Sequence, residues 1–471
     1  MSEFLKYVLW ELRRYAFLAV LAGGVALAVL GIFRHLHRRK YGTEKQFPWK
    51  RILLLQIFTG YLMLVFFVTN FRASHMSREV NLHLFRAWRE ALNNFSQHRW
   101  LNVLLNIAMF CPFGALLPIL DRKFRCWYVT VPAGFCFSLI IELLQLIFAR
   151  GVFDVDDLFC NTLGTVIGFF GVMVILSCFR EKGKRLKPVL AYGCMTFLSI
   201  AAICSVFVMY QCREFGYLPE GPAYTVNTKE TEWKLVCRLP EPMDTAPIYQ
   251  TQGRSLEECD AFADAFKQII PTDFEDISYY QEAAYYMDHG NGYGDGAHFL
   301  YVHYLDQGYE YMAIYDDDPS WMDADREMIL MALAKYPLTV PDSAVFAAEG
   351  DGWHSFSASC ITDGNMVYNG VLRVRWSADG RIREIDNQLL ACSFYREAQV
   401  ITPERALERL KNGKFYDEGF FERKTPDQVS ILDCVMEYRV DTKGFYQPVY
   451  MFEVASPDGS YHNRILIPAI R

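Results

Sequence analysis

Polar and charged side chains that could form a ligand site or an active site interrupt long apolar segments of the chain. Glu142 is the only charged residue in its apolar segment. An ionisable side chain in hydrocarbon is costly unless it is paired, and it usually faces the interior of a helix bundle. The other candidates for the same ligand-binding site lie within or beside three such segments: Asn106, Gln145, Arg150, Asp154, Asp157 and Asn161.

Six apolar segments are long enough to cross a bilayer, and they must position these side chains. A helix needs about 20 apolar residues to cross the hydrocarbon core. The segments are Tyr15–Phe33, Ile52–Thr69, Leu101–Leu120, Tyr128–Ala149, Leu158–Phe179 and Pro188–Tyr210. The first is read as a retained span, because basic residues follow it directly where a signal peptide would have a small-residue cleavage site. We therefore predict a membrane all-α bundle of six transmembrane helices over residues 1–210.

The distribution of charge divides the chain at the same place. Residues 1–210 carry 24 Lys and Arg against 11 Asp and Glu, and residues 211–471 carry 23 against 43. The basic residues lie in short connections between apolar segments, which favours contact with lipid headgroups and excludes a nucleic-acid partner. The connections after the first, third and fifth segments hold most of them, so we expect these connections to be cytoplasmic. Both termini and the acidic C-terminal half are then extracytoplasmic, and the protein is a multi-pass plasma-membrane protein.

With this orientation, the polar side chains fall at one depth on three consecutive spans. At a rise of about 1.5 Å per residue, Asn106 lies about 8 Å and Glu142 about 10 Å below the outer edge of the bilayer. We predict an outer-leaflet pocket whose floor is Asn106, Glu142 and Asn161, with Arg150, Asp154 and Asp157 at the rim. Asn106, Asn161 and Arg150 are the expected partners of Glu142. An interhelical hydrogen-bond clamp that binds no ligand is the alternative interpretation.

Two further patterns concern packing and family. Gly164 and Gly168 form a small-xxx-small pair, which predicts close contact with a neighbouring helix. Over roughly residues 50–180 the motifs resemble the VanZ-like family of bacterial membrane proteins, with Leu84 as a departure. The matching strings are Asn81-Leu82 with Phe85, Asn106, Pro112-Phe113-Gly114, Leu117-Pro118, Glu142-Leu143-Leu144-Gln145, Arg150, Asp154, Asp157, Asn161-Thr162-Leu163-Gly164 and Gly168. The resemblance implies a multi-span membrane protein, and founding members of the family are associated with resistance to glycopeptide antibiotics such as teicoplanin.

Residues 211–471 are expected to form an extracytoplasmic α+β domain with antiparallel sheets, possibly as two subdomains divided near 340–365. Thr402 and Pro403 predict a helix over Pro403–Lys411, and the strands that follow it resemble small PepSY-like and YycI-like modules. That resemblance implies a binding or regulatory role. The remaining predicted elements are helices at Glu257–Gln268 and Arg326–Lys335 and strands at His298–Tyr315, Leu372–Trp376, Val429–Val440, Phe445–Ala455 and Tyr461–Pro468.

No catalytic motif, cofactor motif or metal-ligand spacing is evident in this half. The acidic run Asp316–Asp318 lacks the glycine and glutamate of a calcium loop. Cysteines in this half permit one or two disulfides without indicating the pairing: Cys212, Cys237, Cys259, Cys360, Cys392 and Cys434.

The hypothesis favoured by the sequence is a non-enzymatic cell-envelope protein that binds a polar outer-leaflet ligand and confers antibiotic tolerance. The ligand would be a lipid-linked wall precursor or a glycopeptide antibiotic, with membrane lipids as further partners. The alternative is an integral-membrane hydrolase or transferase acting on a lipid headgroup, with Glu142 as general base and Asp154 and Asp157 holding a metal. The third possibility is a scaffold in which the polar layer only joins helices. The oligomeric state stays open.

Overall fold

The computed structural model describes most of the chain from residue 49 onward and only isolated positions before it. The described residues are 24, 28, 31–32, 49–71, 78–94, 97–179, 186–270, 272–280, 283–290, 296–314, 321–364, 366–417, 421, 426–459 and 461–471. The first predicted span, Tyr15–Phe33, lies outside them except for four helical positions, and so does the acidic run Asp316–Asp318. The chain divides into two units, Met1–Trp88 with His98–Arg213, and Arg89–Gln97 with Glu214–Arg471.

Within the described residues, five helices are long and apolar enough to cross a membrane. They are α1 (Trp49–Phe71), α3 (Gln97–Leu120), α4 (Trp127–Ile147), α5 (Val155–Cys178) and α6 (Leu186–Cys212). They correspond to the second through sixth predicted segments. The connection between α1 and α3 was expected to be a loop, but it contains strand β1 (Arg78–Asn81) and helix α2 (Arg86–Asn94). A 3-10 helix covers Arg122–Arg125, and strand β2 covers Gly151–Asp154.

Helices α3 and α5 approach each other through glycine. A side-chain carbon at Gly164 would overlap the carbonyl oxygen of Ile107, and one at Gly168 would overlap that of Cys111. In the other direction, a side-chain carbon at Gly114 would overlap the carbonyl oxygen of Thr165. Backbones can come this close only where no Cβ intervenes. The predicted role of the small-xxx-small pair in packing is confirmed.

The second unit is built on one large sheet with short helices. Its strands are β3 (Glu232–Leu235), β4 (Thr245–Thr251), β5 (Asp276–Tyr279), β6 (Ala283–Asp288), β7 (Ala297–His303), β8 (Tyr309–Ile314), β9 (Val345–Gly350), β10 (Trp353–Asp363), β11 (Met366–Trp376), β12 (Ile382–Asn387), β13 (Leu390–Gln399), β14 (Gln428–Val440), β15 (Phe445–Ala455) and β16 (His462–Pro468). The helices are α7 (Leu256–Lys267), α8 (Arg326–Leu333) and α9 (Pro403–Lys411).

The strands follow the order β3-β14-β15-β4-β13-β11-β12-β8-β7-β6-β5, with β16 beside β15 and with β10 joining β11 to β9. The sheet is mixed, because β3 pairs with β14 in parallel while the other described pairs are antiparallel. Buried side chains form two large clusters, one over residues 259–389 and one over residues 223–469.

Local signals in the sequence correspond to the observed boundaries in most places. The Thr402 side chain caps α9 by accepting from the backbone N–H of Arg405. The segment His298–Tyr315, predicted as one strand, is instead the two strands β7 and β8. The reason is a tight turn, in which Asp306 accepts a hydrogen bond from the backbone N–H of Gly308 at 2.7 Å.

Asp441 joins the start of the second unit to the hairpin between β14 and β15. Its Oδ1 accepts from the backbone N–H groups of Lys443 (2.7 Å) and Phe445 (3.0 Å). Its Oδ2 accepts from the backbone N–H of Gly216 (2.7 Å) and from the side-chain amide of Gln447. The carboxyl is buried. We expect Asp441→Asn to lower the free energy of unfolding by about 2–4 kcal/mol, because an amide has one acceptor oxygen and turns an NH₂ group toward donors.

The measurement is thermal unfolding of the whole chain in detergent. Asp244→Asn, the same chemical change at an exposed position of the same unit, serves as the control. Equal unfolding temperatures for the two variants would contradict the role given to Asp441.

Candidate functional site

Glu142 lies on α4 with its side chain 2% exposed. Its Oε2 accepts a hydrogen bond from the backbone N–H of Asp154, at 3.0 Å. The partners expected from the sequence were side chains, Asn106, Asn161 or Arg150. In the structure Asn106 and Asn161 bond elsewhere, and β2 supplies a backbone donor that composition does not reveal. The buried carboxylate is thus fixed to the residue that begins α5.

Asp154 connects three elements at this point. It is the N-cap of α5, and its Oδ1 accepts from the backbone N–H of Asp156 at 2.8 Å. The same oxygen accepts from the side-chain amide of Asn81 at 3.1 Å, because the parallel pairing of β1 with β2 sets Asn81 opposite Asp154. Burial raises the pKa of the Asp154 carboxyl, and these two hydrogen bonds offset only part of that effect.

Asp157 and Asn161 lie one turn apart on α5 and bond to different helices. Asp157 accepts a hydrogen bond from the side-chain amide of Asn106 on α3. Asn161 donates to the hydroxyl of Ser138 on α4 at 2.8 Å. The Asn161 side-chain oxygen is buried and accepts no hydrogen bond within the described part of the chain. That oxygen is an acceptor available to a water or a ligand.

Asp156 is a buried member of the same region that the predicted site omitted. It is 1% exposed, and its two oxygens accept from the backbone N–H groups of Phe85 (2.5 Å) and Ala87 (2.6 Å). A carboxylate at the first turn of a helix satisfies donors that lack partners within the helix and interacts favourably with the helix dipole. Asp156 thereby holds the N-terminus of α2. Its proximity in sequence to Asp154 and Asp157 was the available signal.

Gln145 and Arg150 lie at the end of α4 in a different set of contacts. The Gln145 amide donates to the carbonyl oxygen of Thr69 in α1 at 3.0 Å. The backbone N–H of Arg150 donates to the carbonyl oxygen of Gln145 at 2.8 Å, and Ala149 between them has a φ of 53°. Gln145 therefore joins α4 to α1, and its hydrogen bond does not extend to the carboxylates around Glu142.

Comparison with known families identifies this unit. Residues 52–177 match the family model described as VanZ/LLP1. The chain carries a VanZ-like membrane domain. The match runs from α1 to α5 and includes every residue of the candidate site, and it confirms the resemblance seen in the motifs. The protein is therefore a multi-pass VanZ-like membrane protein of the cell envelope.

Other comparisons concern the part of the chain outside the VanZ-like domain. Among solved structures, the chain is similar to one described as the Bacillus megaterium YpeB C-terminal domain, with 12% sequence identity and a TM-score of 0.20. The match covers 46% of this chain and 94% of that chain. No curated protein matched the chain. The likeness of the last strands to PepSY-like and YycI-like modules stays a prediction.

The charge of the VanZ-like site is dominated by carboxylates. Four acidic side chains, Glu142, Asp154, Asp156 and Asp157, fall within one short stretch of α4, β2 and α5. Within the described residues, no group of three or more His, Cys, Asp or Glu side chains is arranged to hold a metal ion. Arg86 is a cationic influence on Asp154. A site of this composition favours ligands that carry positive charge or hydrogen-bond donors.

Proposed function

We propose that the VanZ-like domain is a non-enzymatic binding module of the bacterial cell envelope. Its polar layer binds an outer-leaflet ligand that presents a protonated amine, of the class found on glycopeptide antibiotics, and this binding underlies antibiotic tolerance. The observation that carries the proposal is the buried Glu142 carboxylate beside three aspartates and beside the unsatisfied oxygen of Asn161. The acidic second unit lies outside the cell in this proposal and draws cationic ligands toward the membrane.

The composition of the layer supports a ligand site more than a clamp. A clamp between helices requires pairs of polar groups that satisfy each other, as Asn106 with Asp157 and Asn161 with Ser138 do. Glu142 goes beyond this requirement, because it adds a charge where burial is costly and bonds only a backbone donor among its described hydrogen bonds. A cationic group bound nearby would offset that cost.

The sign of the charge selects between the two ligand classes that the sequence suggested. A lipid-linked wall precursor carries an anionic pyrophosphate, and four neighbouring carboxylates would repel it. A protonated amine would be attracted and would donate hydrogen bonds to carboxylate and amide oxygens. The geometry therefore favours an amine-bearing glycopeptide over a precursor bound through its phosphates.

The test is retention of teicoplanin by the purified full chain, measured by equilibrium binding with mass spectrometric identification of the bound molecule. We expect Glu142→Gln to weaken retention about 10- to 100-fold, because it removes one charge-assisted interaction. Asp121→Asn is the matched control, since it makes the same change at an exposed carboxylate that pairs with Arg51. Unchanged retention in a folded Glu142→Gln protein would refute the site. A chemically altered product would support the hydrolase or transferase alternative.

A further inference from the structure

Cys237 and Cys434 lie on adjacent parallel strands of the second unit. β3 pairs with β14, with Leu235 opposite Ile431 as the last pair of the register. The pairing continues beyond β3, because the backbone N–H of Val236 donates to the carbonyl oxygen of Ile431 at 3.0 Å. Cys237 is therefore the next residue after Leu235 that faces the same side of the sheet.

A β-bulge turns Cys434 toward the same side. In a regular strand, the residue two positions after Ile431 would be its neighbour on that face, and this residue is Asp433. The register of β14 with β15 shifts between Ile431 and Asp433, which inserts one extra residue there. Ile431 and Cys434 are consequently buried, while Leu432 and Asp433 are exposed. The bulge brings Cys434 into the position beside Cys237.

The two side chains share one environment. Cys434 belongs to the buried cluster over residues 223–469, and Cys237 packs against that cluster while keeping partial exposure. Burial raises the pKa of the Cys434 thiol to about 12, with further contributions from Cys237 and Asp433. An electrostatic influence of one sulfur on the other requires them to be close. Both cysteines are free thiols in the structure.

We propose that Cys237 and Cys434 form a disulfide when the second unit meets an oxidising compartment. Adjacent strands lie about 4.8 Å apart, within the Cα separations of about 4.4–6.8 Å that disulfides span. The inference rests on strand register and burial, and it is independent of the ligand proposed for the VanZ-like domain. The bond would close a loop of roughly 200 residues between the first strand of the unit and its C-terminal hairpin, which restricts the unfolded chain.

The oxidation requires a disulfide-containing oxidant, of which glutathione disulfide is the simplest. Cys237 is the more exposed thiol, so its thiolate attacks a sulfur of the oxidant and releases one glutathione thiolate. The thiolate of Cys434 then attacks the Cys237 sulfur of the mixed disulfide and releases the second glutathione. Two protein thiols lose two electrons and two protons, and one glutathione disulfide becomes two thiols.

The experiment incubates the purified full chain in detergent with glutathione disulfide and then alkylates the remaining thiols under denaturing conditions. Digestion without reductant and mass spectrometry should give a cross-linked peptide pair that contains Cys237 and Cys434. Reduction should lower the apparent melting temperature by about 5–15 °C. Cys237→Ser should remove this dependence on reductant and leave Cys434 alkylated, with Cys434→Ser as the reciprocal variant.

Cys259→Ser is the matched control, because Cys259 is buried in the other large cluster of the unit. This variant should retain the cross-linked peptide pair. Alkylation of both Cys237 and Cys434 after oxidation, or a cross-link of either one to a different cysteine, would overturn the proposal.

Discussion

Replacing Gly168 by alanine should destabilise the membrane domain severely, whereas the same change at Gly171 should leave it intact. The added carbon at Gly168 would overlap the carbonyl oxygen of Cys111 on α3, and a backbone atom cannot move aside as a flexible side chain can. At Gly171, three residues further along the same helix, no atom lies within 4 Å of the added carbon. We expect a loss of about 3 kcal/mol or more at Gly168, at or above the usual cost of overpacking.

The measurement is the apparent melting temperature in detergent together with the fraction of protein that elutes as a single species. Gly171→Ala should be neutral or slightly stabilising, since alanine favours helix over glycine by about 1 kcal/mol. A Gly168→Ala protein as stable as Gly171→Ala would show that α3 and α5 are not in the contact described. The prediction concerns packing alone and does not depend on any ligand.

Asp156→Ala should also destabilise the protein strongly, by about 2–4 kcal/mol. The substitution leaves the backbone N–H groups of Phe85 and Ala87 without their buried acceptor and removes a charge that caps the N-terminus of α2. Asp156→Asn should cost less than Asp156→Ala, because the amide keeps one acceptor oxygen in nearly the same place.

The readouts for this prediction are thermal unfolding and the rate of limited proteolysis within Arg86–Asn94. Asp121→Ala provides the control, because the exposed ion pair between Asp121 and Arg51 should contribute less than about 1 kcal/mol. Protease resistance of α2 that is the same in Asp156→Ala and in the unmodified protein would contradict this role.

Asp156 and Glu142 also determine how the binding experiment is interpreted. Asp156 acts on the site through α2, so its loss should lower ligand retention together with stability. Glu142 is placed at the ligand itself, so Glu142→Gln should lower retention while the melting temperature changes little. The two variants therefore separate a positioning residue from one that contacts the ligand.

The sequence by itself determined the features that depend on local composition. Hydrophobicity adds along a segment whatever the segment packs against, so α1 and α3–α6 were predicted from apolar length alone. The capping of α9 by Thr402 depends on residues within one turn, and the VanZ-like motifs are likewise read in order along the chain. The glycine pair of α5 indicated close packing but did not identify α3 as the neighbour.

Only the tertiary structure decided which groups meet. The partner of Glu142 is the backbone of Asp154, the partner of Asp156 is the start of α2, and Cys237 lies beside Cys434 because of a bulge in β14. None of these pairings follows from residue type or spacing, since each joins segments whose separation is set by the path of the chain. Hydrogen bonds and thiol pairs depend on positions fixed to within about an ångström, and that precision arises only when the helices and strands pack together.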